Sequence, residues 1–168
     1  VELAQEAGLS VDQAGFDTEM ERQRQASRSA DAFKDAARSR AELYVSLAGQ
    51  KTQFLGYDDV EAEAKILALI TEEGAAEEAV AGQPVEVILD RTPFYGESGG
   101  QIGDKGSIRT ETGLINIGDT FKPTPDLFVP RGTVAEGFVR NGETVHASID
   151  AARRQAIRRN HTATHLLH

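Results

Sequence analysis

Between Asp17 and Leu47 the chain runs without glycine or proline and is rich in Glu, Arg, Gln and Ala. Its apolar positions are thin: Phe16, Met20, Ala30, Phe33, Ala37, Ala41 and Tyr44. That spacing predicts a long helix with a narrow apolar stripe, one that packs along a neighbour and leaves most of its surface solvated. Polar residues at the seam, Gln23 and Ser27, argue against a coiled coil. Upstream, Leu3 to Ala7 followed by Gly8 reads as the end of an earlier helix. Leu9-Ser10-Val11-Asp12-Gln13 reads as a capping box that opens the next one.

From Gln50 the period changes. Thr52 to Tyr57 reads as a strand entry, and Val85-Glu86-Val87-Ile88-Leu89 as a strand. Residues 60–70 fit two templates. Ala62, Ala64, Ile66, Ala68 and Ile70 alternate as in a strand, whereas Val60, Ala64 and Leu67 share a helical face. Turn signals then recur at Gly99-Gly100, Thr112-Gly113, Pro123-Thr124-Pro125 and Asn141-Gly142. The last lies between the runs 132–140 and 144–149 and predicts a hairpin joining them. Short strands at this spacing imply a small antiparallel sheet or barrel. Asp150 is placed to cap a final helix. The expected fold is α+β: a helical arm over residues 1–50, a small antiparallel β-barrel over 51–150, and a C-terminal helix over 151–168.

Charge adds one asymmetry. The net charge is −9. Residues 1–75 carry 8 Lys/Arg against 15 Asp/Glu and residues 76–150 carry 6 against 12, but residues 151–168 hold Arg153, Arg154, Arg158 and Arg159 and no acid. An acidic body argues against broad nucleic-acid binding, and no DNA partner is expected; the basic helix is the local exception. The absence of cysteine excludes a disulfide framework and fits a reducing, cytoplasmic setting. The longest apolar run, Ile66 to Ile70, is far too short to span a membrane. The chain begins at Val1 and its last residues stand in mid-helix, so it reads as a piece of a larger protein.

Two segments carry candidate chemistry. Residues 95–104, Tyr-Gly-Glu-Ser-Gly-Gly-Gln-Ile-Gly-Asp, form the densest glycine stretch. They suit a tight turn cluster or, less often, a loop presenting amides to an anion. Neither a Walker loop nor a complete dinucleotide fingerprint is present. In the second segment, His161 and His165 are four residues apart on a helix, so both can reach one metal ion. Thr162 stands where a metalloprotease of the His-Glu-x-x-His type needs its glutamate. His168 falls on the same face and is read as a surface or packing residue, and His146 as a solvent-facing strand residue. Asp58-Asp59 and Glu72-Glu73 read as solvated charge.

Residues 92–104, Thr-Pro-Phe-Tyr-Gly-Glu-Ser-Gly-Gly-Gln-Ile-Gly-Asp, are followed some sixty residues later by 159–168, Arg-Asn-His-Thr-Ala-Thr-His-Leu-Leu-His. Together they closely resemble the alanyl-tRNA synthetase family, as do Ala14-Gly15-Phe16 and Met20 to Arg24. The resemblance implies a class II enzyme that attaches alanine to tRNA(Ala) with ATP and magnesium. It also implies a zinc-dependent editing domain that hydrolyses seryl- and glycyl-tRNA. On this view residues 1–50 end the tRNA-recognition region, 51–150 form a translation-protein-like barrel, and 151–168 begin the editing domain. Residues 60–70 become a strand. His161 and His165 match the first two zinc ligands, the others belonging to a downstream Cys-x-x-x-His that this chain lacks. Gly99, Gly100 and Gln101 match a loop beside the editing pocket. On the rival reading of a non-catalytic RNA-binding module, the basic cluster Arg153, Arg154, Arg158 and Arg159 is expected to meet the tRNA backbone. The piece alone is expected to be inactive. Competing readings are a non-catalytic RNA-binding module, a structural spacer, and a free-standing editing hydrolase.

Overall fold

The structure, a computed structural model, describes residues 13–47, 49–98 and 100–166, without the side chains of residues 13, 26–33 and 160–166. The helix end and capping box expected over residues 3–12 lie outside the described residues. The chain divides into two compact units, Val1–Arg40 and Ala41–His168.

The long helix α1, Gln13–Leu47, runs through that boundary. In the first unit it is largely solvated: Phe16 is exposed and Arg22 pairs with Glu19 at 2.7 Å on the surface. Such a pair contributes about 0.3–0.5 kcal/mol. In the second unit the stripe takes effect. Tyr44 is buried, with Leu43 and Leu47 packed beside it against Ala68, Ile70, Ile88, Leu127 and Val129.

The strands are β1 (Gln53–Phe54), β2 (Glu61–Thr71), β3 (Gly74–Ala76), β4 (Glu78–Val80), β5 (Pro84–Leu89), β6 (Arg91–Thr92), β7 (Gly106–Arg109), β8 (Gly113–Thr124), β9 (Leu127–Arg140) and β10 (Thr144–Ile149), followed by helix α2, Ala151–Leu166. Strands β10, β7, β8, β9, β5 and β2 pair in that order, and β2 pairs β10 again. Every pairing in this ring is antiparallel. The result is a closed six-stranded barrel, which leaves no exposed edge within the ring. The fold is α+β, as expected.

The barrel interior holds Ala64, Ile66, Val85, Val87, Leu89, Ile108, Ile115, Val134, Val145 and Ala147. The two-template pattern of residues 60–70 has a physical cause. The β2–β5 register shifts between Ile66 and Ala68. Ala64, Ile66 and Leu69 face the interior cluster, while Ala68 and Ile70 join the cluster around Tyr44. A strand buried on both faces across a bulge does not alternate cleanly.

Two expectations are corrected. The strand entry at 52–57 is confined to Gln53–Phe54, which pairs in parallel with β6. The amides of Asp58 and Asp59 then close a turn onto the Leu55 carbonyl. Asn141-Gly142 is a turn, yet β9 and β10 do not pair as a hairpin. The end of β9 pairs β4, whereas β10 pairs β2 and β7. The turn is held from elsewhere: Asn141 donates to the carbonyls of Ala76 and Glu77, and Gly142 N–H to Ile66. Closing the ring on both sides of β10 outweighs the local hairpin signal.

Candidate functional site

The glycine stretch leads from β6 toward β7 and folds on itself. Ser98 and Gln101 exchange backbone hydrogen bonds at 3.0 and 3.2 Å across Gly99-Gly100. Gly100 has φ +82°, a conformation L side chains rarely adopt. Gly99 lies outside the described residues. This is a tight turn, in which the amides of Glu97, Ser98 and Gln101 are committed to backbone carbonyls. Beyond the turn, a Cβ at Gly103 would strike the Thr120 carbonyl, so only glycine lets the loop lie this close to β8.

Asp104 closes the loop. It is 1% exposed. Its carboxylate accepts from the Tyr95 amide at 2.7 Å, its own amide donates to the Tyr95 carbonyl at 2.9 Å, and Thr120 Oγ1 donates to its carbonyl at 2.9 Å. Opposite stands Arg154, 6% exposed, in the first turn of α2. Arg154 Nε and Nη2 donate to the Asp104 carboxylate, Nη1 to the Gly56 carbonyl at 2.6 Å, and Nη2 also to the Pro93 carbonyl. The planar guanidinium thus ties the turn after β1, the segment after β6, the glycine loop and α2 into one body.

The start of α2 is fixed independently. Asp150 Oδ1 accepts the Arg153 amide at 2.9 Å as a cap, and the Asp150 amide donates to Lys105 at 2.8 Å. Arg153 Nη1 donates to the Gly103 carbonyl at 2.9 Å.

The four arginines expected to act together therefore separate. Arg154 is buried with its donors on protein acceptors, and Arg153 is half-buried on the glycine loop. Arg158 and Arg159 are exposed. Arg158 borders a pocket of about 320 Å³ together with Gln101 from the glycine turn. Phe54, Tyr57 and Tyr95 form its aromatic wall, and Gly56 and Arg154 also line it. Neither the Asp104–Arg154 pair nor this wall was foreseen in sequence, because the contributing residues lie up to a hundred positions apart.

His161 and His165 fall within the helical span of α2, four residues apart; their side chains, like His168 as a whole, lie outside the described residues. Positions 154, 158, 161 and 165 advance by four, three and four, so the histidine positions continue the face that begins with Arg154 and Arg158. Helical spacing fits a shared metal ion. Among the described residues no cluster of three or more His, Asp or Glu is placed to hold one. His146 is exposed as expected, 3.5 Å from Glu61. Among the described residues no helix is long and apolar enough to cross a membrane.

Residues 1–153 match the family described as tRNA synthetases class II (A), and the chain belongs to it. Within that class its relatives are alanine–tRNA ligases. It is 44% identical to that of Thermobifida fusca, over 100% of this chain and 19% of the relative. It is 45% identical to that of Thermoanaerobacter sp. (strain X514) and 47% to that of Roseiflexus castenholzii, each over 99% of this chain. The chain spans about a fifth of the length of these relatives.

Proposed function

We propose that this chain is the connecting segment of an alanine–tRNA ligase, linking the parts that attach alanine to tRNA(Ala) with ATP and magnesium to a hydrolytic editing part. The carrying observation is the pocket at which Gln101, from the glycine turn, meets Arg158, from the histidine helix. The glycine motif and the helix that goes on to carry the histidines border one space. The buried Arg154–Asp104 pair supports the same reading, since it holds turn and helix in fixed relation.

His161 and His165 would hold zinc together with ligands from elsewhere in the parent. Zinc, when bound, supplies a Lewis acid for an ester carbonyl or a water. The chain's own contribution is positioning: Arg154 and Asp150 set the helix, and Gln101, at the end of the glycine turn, borders the adjacent space. A second hydrolytic site is the physical answer to serine, which a site built for alanine rejects weakly by binding alone. By itself the chain is inactive in this proposal.

The test uses the Thermobifida fusca ligase with its matching segment replaced by this chain. The chimera should charge tRNA with alanine and deacylate seryl-tRNA; loss of both in a folded chimera sinks the reading. Tight stoichiometric zinc or seryl-tRNA turnover by the 168-residue chain alone would overturn its inactivity. A second reading, tRNA-backbone contact by the basic helix, is favoured by the exposure of Arg158 and Arg159. It requires steeply salt-dependent tRNA binding that weakens when both become alanine.

A further inference from the structure

We propose that Asn141 is a latent modification site: Gly142 can convert its carboxamide to a carboxylate, and the fold withholds that reaction until the turn opens. The inference is independent of the ligase reading.

The chain has three asparagines, and only Asn141 precedes a glycine; Asn116 is followed by Ile117 and Asn160 by His161. The reaction consumes nothing but water. The Gly142 backbone nitrogen gives up its proton and bonds to Asn141 Cγ, the Cγ–Nδ2 bond breaks, and the side-chain nitrogen leaves as ammonia. Water then opens the cyclic imide at either carbonyl, giving aspartate or isoaspartate. A glycine leaves this approach unhindered, whereas a β-branched isoleucine crowds it.

In the folded chain both reacting groups are held elsewhere. Asn141 Nδ2 donates to the Ala76 carbonyl at 3.0 Å, and its amide to the Glu77 carbonyl at 3.0 Å. The Gly142 amide donates to the Ile66 carbonyl at 2.9 Å, with φ fixed at +83°. Glu143 clamps the turn from its other end, accepting from Thr112 Oγ1 at 2.8 Å and from the Arg140 amide at 3.1 Å. To form the imide, the carboxamide must leave Ala76 and the Gly142 nitrogen must turn away from Ile66. Each of those bonds reaches a distant segment, so the reaction waits on a local opening.

The product does not fit the site it leaves. The new oxygen would face the Ala76 carbonyl in place of a donor, and Oδ1 is already buried with no protein donor. Acceptors would meet acceptors, and a charge would sit uncompensated. The cost falls where β4 pairs the end of β9, with Ala79 and Val139 fully buried in the barrel core. Deamidation is therefore a one-way mark that loosens this end of the barrel.

The whole 168-residue chain is incubated in mildly alkaline buffer, folded and in denaturing urea. Mass-spectrometric peptide mapping, with enzymatic methylation of isoaspartate, reads position 141 against Asn116 as internal control. In urea position 141 should convert, with isoaspartate in excess, and the folded chain should convert about tenfold more slowly or more. Glu143→Ala releases Thr112 and the Arg140 amide, and should raise the folded-state rate about threefold or more while leaving the rate in urea unchanged. Asn141→Asp should melt below Asn141→Ala, since both lose the bond to Ala76 and only the first adds a charge. Circular dichroism checks that each variant is folded. If Glu143→Ala does not fold, sub-denaturing urea replaces it, and the rate at 141 should rise before the global transition. Equal rates in the folded chain and in urea, or no isoaspartate at 141 in urea, overturns the proposal. An Asn141→Asp variant as stable as Asn141→Ala would sink the one-way mark.

Discussion

Arg154 and Asp104 form a buried ion pair across fifty residues of sequence, with the guanidinium also donating to the carbonyls of Gly56 and Pro93. Taking both charges out of water is costly, and the cost is offset only because the remaining donors and acceptors also find partners. Removing one member leaves the other buried and uncompensated. Arg154→Ala should destabilise the second unit by about 3–5 kcal/mol. Asp104→Asn should be milder, since the amide keeps an acceptor but loses the charge. The double variant should cost less than the sum of its parts, the sign of direct coupling. Urea unfolding followed by circular dichroism measures all three.

Arg154→Lys should not rescue stability. An ammonium offers three donors from one point, whereas the site distributes a planar fork over a carboxylate and two carbonyls. A lysine variant within about 0.5 kcal/mol of the parent chain would show that charge, not geometry, holds the loop.

Gly103 and Gly118 make a matched pair. A Cβ at Gly103 meets the backbone carbonyl of Thr120, which cannot swing away, while one at Gly118 meets nothing within 4 Å. Gly103→Ala should cost about 1–3 kcal/mol through overpacking. Gly118→Ala should stay within about 0.5 kcal/mol. Thermal melts of the two variants side by side check this, and equal melting temperatures would count against the close approach.

Tyr44 fastens the end of α1 to the barrel. Its hydroxyl donates to Glu86, a buried carboxylate on β5 that also accepts from Arg131 at 3.1 Å. Tyr44→Phe keeps the ring contact with Phe121 and removes the donor. Loss of a hydrogen bond to a charged acceptor should cost about 1.5–3 kcal/mol. Hydrogen exchange should show the last turn of α1 opening more readily than the barrel strands.

In the chimera, His161→Ala or His165→Ala should leave sub-stoichiometric zinc after dialysis, with the barrel still folded. Full zinc in both variants would remove these residues from the ligand set.

Much of this arrangement was legible in the chain. The glycine-free run from Asp17 marks α1, because helix needs only local hydrogen bonds and a periodic stripe. The run from Val85 to Leu89 marks β5, and Asp150 caps α2 as its position implies. The glycine and histidine motifs pointed to the family, which the match over residues 1–153 and the alanine–tRNA ligase relatives over the whole chain bear out.

What sequence left open involves pairing between distant segments. The Asn141-Gly142 turn has the local chemistry of a hairpin, but the strand that pairs with β10 on one side is β2, and on the other β7. Nothing near position 141 encodes that choice; it follows from closing six strands into a ring so that both edges are satisfied. The bulge between Ile66 and Ala68 likewise arises from packing on both faces of β2. The four arginines of α2 look alike in sequence. One is drawn into the barrel because a buried carboxylate and two carbonyls converge there, and the next on the same face remains exposed to border a pocket. Sequence alone determined the two helices, the β5 strand and the family, since these rest on local periodicity and motif. Only the tertiary structure decided which strands close the barrel and which arginine is structural, because both depend on groups brought together across long stretches of chain.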